Sequence, residues 1–313
     1  MICLLGPTGS GKTALVLELA AVLPIDIISV DSALVYRQMN IGTAKPDPAT
    51  LARIPHHLID ICDPATPYSA AQFCTDAHRL IQQSMDNARI PLLTGGTMLY
   101  YRSLWEGLSP LPSADQSLRA SLSQQAETKG WAYLHQTLQA IDPRAAERIH
   151  ANDAQRIQRA LEVYYLTGKT LSDFIDNTPK SPPPAMLKLV ISPSDRQILH
   201  ERISARLDGM LAQGFIEEVA ALRRRGDLTA ACPAMRAVGY RQIWSYLVGE
   251  QDYVTMREKA LIATRQLAKH QLTWLRQFEG VIWFDSTAPD LFSQVYHCIQ
   301  AYLEKKGKKA TAP

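Results

Sequence analysis

The sequence predicts an α/β fold: a parallel sheet flanked by helices, with an all-helical insertion. Three observations predict it. Short, mainly apolar runs recur at Ile2–Leu5, Ile25–Asp31 and Ile90–Thr94, the pattern of strands buried on both faces. Helical periodicity fills the intervals between them. From Ser113 to about Thr178 only helical patterns occur, and Leu187–Ile191 then returns to the buried-strand pattern. The helical stretch therefore interrupts the sheet rather than following it.

The first strand runs into Gly6–Thr13, GPTGSGKT, and a helical pattern follows with Leu15, Leu19, Ala20 and Val22 at helical spacing. Strand, glycine-rich turn and helix start, in that order, make G-x-x-x-x-G-K-T a phosphate-binding loop of the P-loop NTPase type. Gly6, Gly9 and Gly11 let backbone N–H groups of Thr8, Gly9, Ser10 and their neighbours converge on an anion. The helix N-terminus adds its dipole and Lys12 a full charge. Thr13 offers a hydroxyl to a Mg2+ ion that also touches the phosphates, so Mg2+ is the expected cofactor. The second strand is expected over Ile25–Asp31 and a third over His57–Cys62. A helix is expected over Ala70–Ala88, and the strand Ile90–Thr94 ends in Gly95, Gly96 and Thr97. Ligands of such sheets collect at the carboxyl ends of the strands, where the loop, Asp31 and Thr97 should converge.

Helices are expected in the insertion over Ser113–Lys129, Ala132–Ile141, Ala145–His150 and Ala154–Leu166, the last with Asp153 as N-cap and Gly168 as terminator. The proline-rich Thr178–Pro184 reads as a stiff connector. Long helices are expected over Gln197–Arg225, Gly239–Val248 and Tyr253–Phe278, a last strand over Val281–Phe284, and an unstructured basic tail over Lys305–Pro313. The expected domains are a P-loop core of residues 1–112 with 185–313, and a helical insertion of residues 113–184.

With 313 residues, 46% apolar and 20% charged, the chain is expected to be globular with a substantial core. No stretch has the length of a membrane helix and the N-terminus reads as a core strand, so the expectation is a cytoplasmic protein with no membrane partner. The five cysteines are scattered without metal-ligand spacing and read as reduced thiols. The net charge of +3 is uneven: residues 1–112 carry −2 and residues 113–313 carry +5. The basic residues of the second part cluster at Arg156 with Arg159, Arg223–Arg225, Arg236 with Arg241, and Lys305–Lys309, stripes that suit a phosphate backbone or a solvated helix face.

Asp31 closes the second strand as a carboxylate able to accept a proton from an incoming hydroxyl or amine. An enzyme that transfers a γ-phosphoryl group should end a further apolar strand in an aspartate for magnesium. The matching stretch, IPLLTGGT, ends in Thr-Gly-Gly-Thr. The cradle is present without that carboxylate, which fits a reaction in which diphosphate leaves.

Seven blocks in order together resemble the bacterial tRNA dimethylallyltransferases, a family of isopentenylpyrophosphate transferases. They are GPTGSGKT, SVDSALVYRQMNIGTAKP (29–46), HHLIDICDP (56–64), LLTGGTMLYYRSL (92–104), NDAQRIQRALEVYYLTGK (152–169), RISARLDGMLAQGFIEEV (202–219) and AVGYRQIW (237–244). The resemblance implies transfer of a dimethylallyl group from dimethylallyl diphosphate to the N6 amine of the adenosine 3′ of the anticodon, with diphosphate leaving. It implies that Gly6 and Thr8–Thr13 surround the diphosphate, that Lys12 neutralises it, and that Arg206 clamps it. It implies that Asp31 is the general base and that Thr97 touches the nucleotide. It also implies that tRNA meets Asp31, Ser32, Ala33 and Leu34; Arg119; Gln155, Arg156, Ile157, Gln158 and Arg159; Arg236, Gly239, Tyr240 and Arg241; and Lys269, His270, Trp274 and Arg276. The expected partners are the tRNA anticodon stem-loop and dimethylallyl diphosphate, and the chain is expected to be monomeric. Eukaryotic members add a zinc finger, and its Cys/His spacing is absent from this sequence.

Three other readings stay open at this level. An adenylate isopentenyltransferase would use the same loop and aspartate on a free nucleotide, but would need neither the insertion nor the basic C-terminal helices. A small-molecule P-loop kinase would require ATP. A non-catalytic, nucleotide-gated RNA-binding protein would not need Asp31.

Overall fold

In the computed structural model, residues 1–178 and 185–310 are described, with side chains through Lys305. The chain divides into two compact units, Met1–Leu104 with Pro184–Pro313, and Trp105–Pro183. The second unit thus begins ahead of the residue 113 expected from sequence.

The first unit is built on a six-stranded sheet in which every pairing is parallel, in the order β3-β2-β4-β1-β5-β6. The strands are β1 (Ile2–Leu5), β2 (Ile25–Ser29), β3 (His56–His57), β4 (Ile90–Gly95), β5 (Leu187–Ser192) and β6 (Val281–Asp285). β5, which follows the insertion, pairs with β1 through Ile2↔Leu187 to Leu5↔Val190, so the chain leaves the sheet and returns to its centre. The third strand does not run over 57–62, because Leu58 and Asp60 take left-handed backbone (φ 64° and 56°) that no strand accommodates. Cys62 instead makes an isolated parallel bridge to Tyr36.

The helices of this unit are α1 (Lys12–Val22), α2 (Pro48–Arg53), α3 (Ala70–Asp86) and α4 (Met98–Glu106), the last running into the second unit. Ser69 and Gln72 close a reciprocal capping box at the start of α3. The second unit holds α5 (Gln116–Lys129), α6 (Trp131–Ile141), α7 (Pro143–Arg148), α8 (Ala154–Thr167) and α9 (Leu171–Asp176) around a core that includes Leu122, Leu134, Leu138, Ile157 and Leu161. Asp153 caps α8 by accepting from Arg156 N, and Gly168 ends it in the left-handed region. The first unit then continues with α10 (Arg196–Ala212), α11 (Phe215–Arg224), α12 (Tyr240–Leu247), α13 (Tyr253–Gln277) and α14 (Leu291–Ala310). The single helix expected over Gln197–Arg225 is two, because Gly214 at φ 98° ends α10 and starts α11. α14 carries helical backbone to Ala310, through most of the tail expected to lack structure. Residues 179–184 of the expected connector and residues 311–313 lie outside the described residues. Among the described residues, no helix is long and apolar enough to cross a membrane.

The central strands close the main core. Leu4, Ile27, Leu92 and Leu189 are fully buried or nearly so against Leu15, Leu19, Val295 and Ile299 of α1 and α14. Leu189→Ala should therefore destabilise the first unit by about 2–5 kcal/mol, the range for deleting a buried leucine side chain. Urea unfolding followed by circular dichroism measures it, and a loss below about 1 kcal/mol would place β5 outside the core.

Candidate active site

β2, β4 and β1 lie side by side in the sheet, with Ser29 opposite Thr94 and Leu5 opposite Gly95. Their carboxyl ends therefore deliver Asp31, Thr97 and the glycine-rich loop to one edge. Glycine is obligatory at two of these ends. A Cβ on Gly6 would stand 2.3 Å from Ile191 O, and one on Gly95 would stand 2.1 Å from Val30 O. Val30 N donates to Thr94 O and Thr97 N to Val30 O, which stitches the exits of β2 and β4 together.

Within the loop, Gly9 and Gly11 sit at φ 79° and 90°, which turns the backbone ahead of α1. Lys12 Nζ donates to Gly6 O and Pro7 O, each at 2.8 Å, and to Ser10 Oγ at 3.4 Å. Burial first and nearby Arg206 second hold its pKa down at about 7, with Asp31 opposing both. Arg206 has its own pKa lowered by its surroundings, with Asp31 again opposing, although its side chain keeps solvent access. The Arg206 guanidinium makes no hydrogen bond or ion pair among the described residues. Two cations and one carboxylate thus lie near enough to act on one another's charge beside the start of α1, an arrangement that accepts a polyanion.

Asp31 receives Ala33 N (2.8 Å) and Leu34 N (3.2 Å) on Oδ1. Oδ2 carries no hydrogen bond among the described residues, so one carboxylate oxygen is anchored and the other is available as an acceptor. Thr97 Oγ1 accepts from Ser32 N at 2.9 Å and lies 3.2 Å from Ser32 Oγ, so it positions the turn that carries Asp31. Thr13 is exposed at the loop's end. No cluster of three or more His, Cys, Asp and Glu side chains that could hold a metal occurs among the described residues.

One residue has a role that the sequence did not reveal. Gln271 of α13 is 7% exposed, accepts from Thr8 N at 2.8 Å, and donates to Gly96 O at 2.8 Å. A single side-chain amide therefore clasps the phosphate loop to the β4 exit. The signal available in the sequence was a polar residue on the helix stripe Ala268–Gln271–Leu275, at buried spacing.

A model of the IPP transferase family matches residues 34–278. The chain belongs to the IPP transferase family. It is 55% identical to the tRNA dimethylallyltransferase of Legionella pneumophila (strain Corby) over 286 residues, 91% of each chain. It is 54% identical to that of Cupriavidus necator over 301 residues, 94% of each. Among solved structures, the full-length tRNA isopentenylpyrophosphate transferase of Bacillus halodurans is 34% identical with a TM-score of 0.73, covering 99% of both chains. A eukaryotic dimethylallyltransferase, described as acting on tRNA, is 26% identical with a TM-score of 0.83, covering 98% of this chain and 79% of that one.

Among the residues that the family resemblance assigns to tRNA, the structure separates two groups. Ser32, Gln155, Arg156, Arg236, Arg241, Lys269, His270 and Arg276 are exposed. Ala33 and Leu34 are half-buried beside Asp31. Half-buried Trp274 has the Arg102 guanidinium 5.8 Å from its ring centroid. The others are engaged by the protein itself, Ile157, Gly239 and Tyr240 buried and Arg119, Gln158 and Arg159 half-buried. Ile157 is fully buried, and Gln158 donates to Arg119 O and Ser123 Oγ. Arg119 is bidentate on the fully buried Glu162, whose second oxygen also accepts from Arg159 at 2.5 Å. Burial alone would raise the Glu162 pKa, but the two arginines and the Asp115 amide hold it below its ordinary value. Removing either arginine would leave the buried carboxylate short of a partner, so these arginines brace the insertion. Gly239 and Tyr240 are also buried, and the Tyr240 hydroxyl donates to Glu218 at 2.5 Å. Glu218 in turn accepts from the backbone amides of Asn40, Ile41 and Gly42 and fixes the segment that follows the Asp31 turn.

Two outcomes follow from this geometry. In Gln271→Ala, Thr8 N–H should exchange with solvent at least tenfold faster, since two hydrogen bonds of about 0.5–1.5 kcal/mol each are lost. Hydrogen–deuterium exchange with mass spectrometry reads it, and unchanged protection would show that the clasp does not hold the loop. A bound anion raises the Lys12 pKa above its resting value of about 7. Its contribution to diphosphate affinity is therefore complete below pH 7 and falls above it by up to roughly tenfold per pH unit. Calorimetry from pH 6 to 9 should show the wild-type advantage over Lys12→Met shrinking as pH rises, whereas a constant ratio would contradict the low resting pKa.

Proposed function

We propose that this chain transfers the dimethylallyl group of dimethylallyl diphosphate to the N6 amine of the adenosine 3′ of the anticodon in cytoplasmic tRNA, releasing diphosphate. The observation that carries this reading is the proximity of Lys12, Arg206 and Asp31 at the glycine-rich loop, where Gly9 packs against Leu199 and Ile203 of the helix that carries Arg206. The names of its relatives, dimethylallyl- and isopentenylpyrophosphate transferases of tRNA, supply the donor and acceptor classes.

The chemistry asks for three things that these residues are suited to provide. The allylic C1–O bond breaks with its electron pair going to the diphosphate, so negative charge gathers on the leaving oxygens. Lys12, Arg206 and the amides of the Gly9–Thr13 turn stabilise that charge, and the planar fork of Arg206 suits two phosphate oxygens. The new bond joins C1 to N6, a weak nucleophile whose lone pair is delocalised into the ring. Positioning therefore counts as much as deprotonation. Asp31 accepts the N6 proton on Oδ2 while Oδ1 stays anchored, and Thr97 holds the Asp31 turn in place. The adenine reaches this site by leaving its stack in the anticodon loop, as base-modifying enzymes require. The exposed Thr13 hydroxyl would be the chain's own ligand to a magnesium ion bound with the diphosphate. When bound, such an ion adds charge neutralisation on the leaving group. The chain is proposed to act as a monomer.

Asp31→Asn keeps the shape of the side chain and removes its basicity. Single-turnover prenylation should slow by about 10²–10⁴-fold, the usual span for a lost general base. The tRNA dissociation constant, from filter binding, should stay within about threefold of wild type. Unimpaired turnover would remove Asp31 from the chemistry.

A further inference from the structure

α10 and α13 pack side by side in the first unit, with Leu199, Ile203 and Ala268 buried between them. Beside this contact lies a cavity of about 120 Å³. One water needs only about 10–15 Å³ on this measure, so a tetrahedral oxyanion has ample room. The charged side chains lining it are Arg196 and His200 of α10, and Arg265, Lys269 and Arg276 of α13. The intervals of four residues on α10, and of four and seven on α13, put each set on one helix face. No carboxylate lines the cavity. Arg196, Arg265, Lys269 and Arg276 have no ion pair among the described residues, and Arg265 Nε is buried with no hydrogen-bond partner. Arg196 Nε donates to His200 Nε2 at 3.3 Å. Arg196, Lys269 and Arg276 are exposed at its rim and Arg265 is half-buried, so four cations line one cavity with an unsatisfied guanidinium N–H and no anion.

We infer that this cavity is a phosphate site for the tRNA backbone, made by Arg196, His200 and Arg265 together with the Lys269–Arg276 face of α13. The inference rests on the proposed function, and it adds α10 and Arg265 to the RNA contact. The lining supplies mainly positive charge, and it holds no Phe, Tyr or Trp ring to stack a base and no carboxylate to accept from a ribose, which suits a phosphodiester rather than a free nucleotide. The site also shares a wall with the catalytic loop. A Cβ at Gly9 would meet Leu199 Cδ1 at 3.4 Å, and Leu199 lines the cavity. A backbone phosphate seated here would tie the RNA to the helix that supports the diphosphate loop.

The test measures binding of unmodified tRNA by the full chain across a salt series, using wild type, Arg196→Gln/Arg265→Gln and Arg196→Lys/Arg265→Lys. Losing one phosphate contact should lower the slope of log K against log salt by about 0.7–1 in the glutamine pair. Its tRNA dissociation constant should rise about 5–20-fold, the KM for dimethylallyl diphosphate should stay within about twofold, and the lysine pair should recover most of the slope. A folded glutamine pair with wild-type slope and affinity overturns the inference. Loss of inorganic phosphate binding with tRNA binding unchanged also overturns it, because the occupant is then a free anion. A wild-type chain that neither binds nor prenylates tRNA is a separate result, and it removes the proposed function as well.

Discussion

Close approach of the strand exits is the constraint on which the rest of the site depends. Neither Gly6 nor Gly95 has room for a side chain, because a carbonyl of the neighbouring segment occupies the space where a Cβ would project. With those contacts made, β1, β2 and β4 end level with one another and the candidate site residues need only short excursions to meet. The phosphate loop follows β1 directly, Asp31 lies two residues beyond β2, and Thr97 two residues beyond β4. Each is then fixed by a single polar clasp: Thr97 on Ser32, Gln271 across Thr8 and Gly96, and the Ala33 and Leu34 amides on Asp31. Precise placement here comes from few interactions because the strands have already done most of the positioning.

Electrostatics is managed in opposite ways in the two units. In the insertion, Glu162 is fully buried and saturated by two arginines and a backbone amide, and the whole assembly is closed. In the first unit, Lys12 and Arg206 sit near each other with only Asp31 to offset them, and both have lowered pKa values. A site arranged in this way is less favourable empty than filled. It holds its lysine on loop carbonyls until an anion takes over, so ligand charge is felt strongly when it arrives.

The sheet, the insertion and the phosphate loop were legible in the sequence because each depends on local pattern: apolar runs, helical spacing and glycines at a strand exit. The elements that differed depend on backbone conformation or tertiary contact. Left-handed Leu58 and Asp60 stop β3 early, although neither residue type announces it. Gly214 splits a continuous helical pattern, a signal present in the sequence but weak in mid-helix. In the stretch Gln155–Arg159, family resemblance assigned RNA contact to a run of five residues, yet a helix turns about half of any such run inward. Ile157 is buried, Gln158 and Arg159 are half-buried and spend hydrogen bonds within the insertion, and Gln155 and Arg156 are exposed. Gln271 shows the converse: it lies within a segment read as RNA-facing, while its side chain works on the catalytic loop.

The central claim is an alkyl transfer from an allylic diphosphate to one RNA base. It is tested most directly by incubating the wild-type chain with magnesium, dimethylallyl diphosphate labelled in its carbon skeleton, and unmodified tRNA, then mapping the label by nuclease digestion and mass spectrometry. The account predicts one equivalent of label on N6 of the adenosine 3′ of the anticodon, with equimolar diphosphate released and no label on added AMP. Label on AMP with none on tRNA, or diphosphate release without any labelled base, would contradict it.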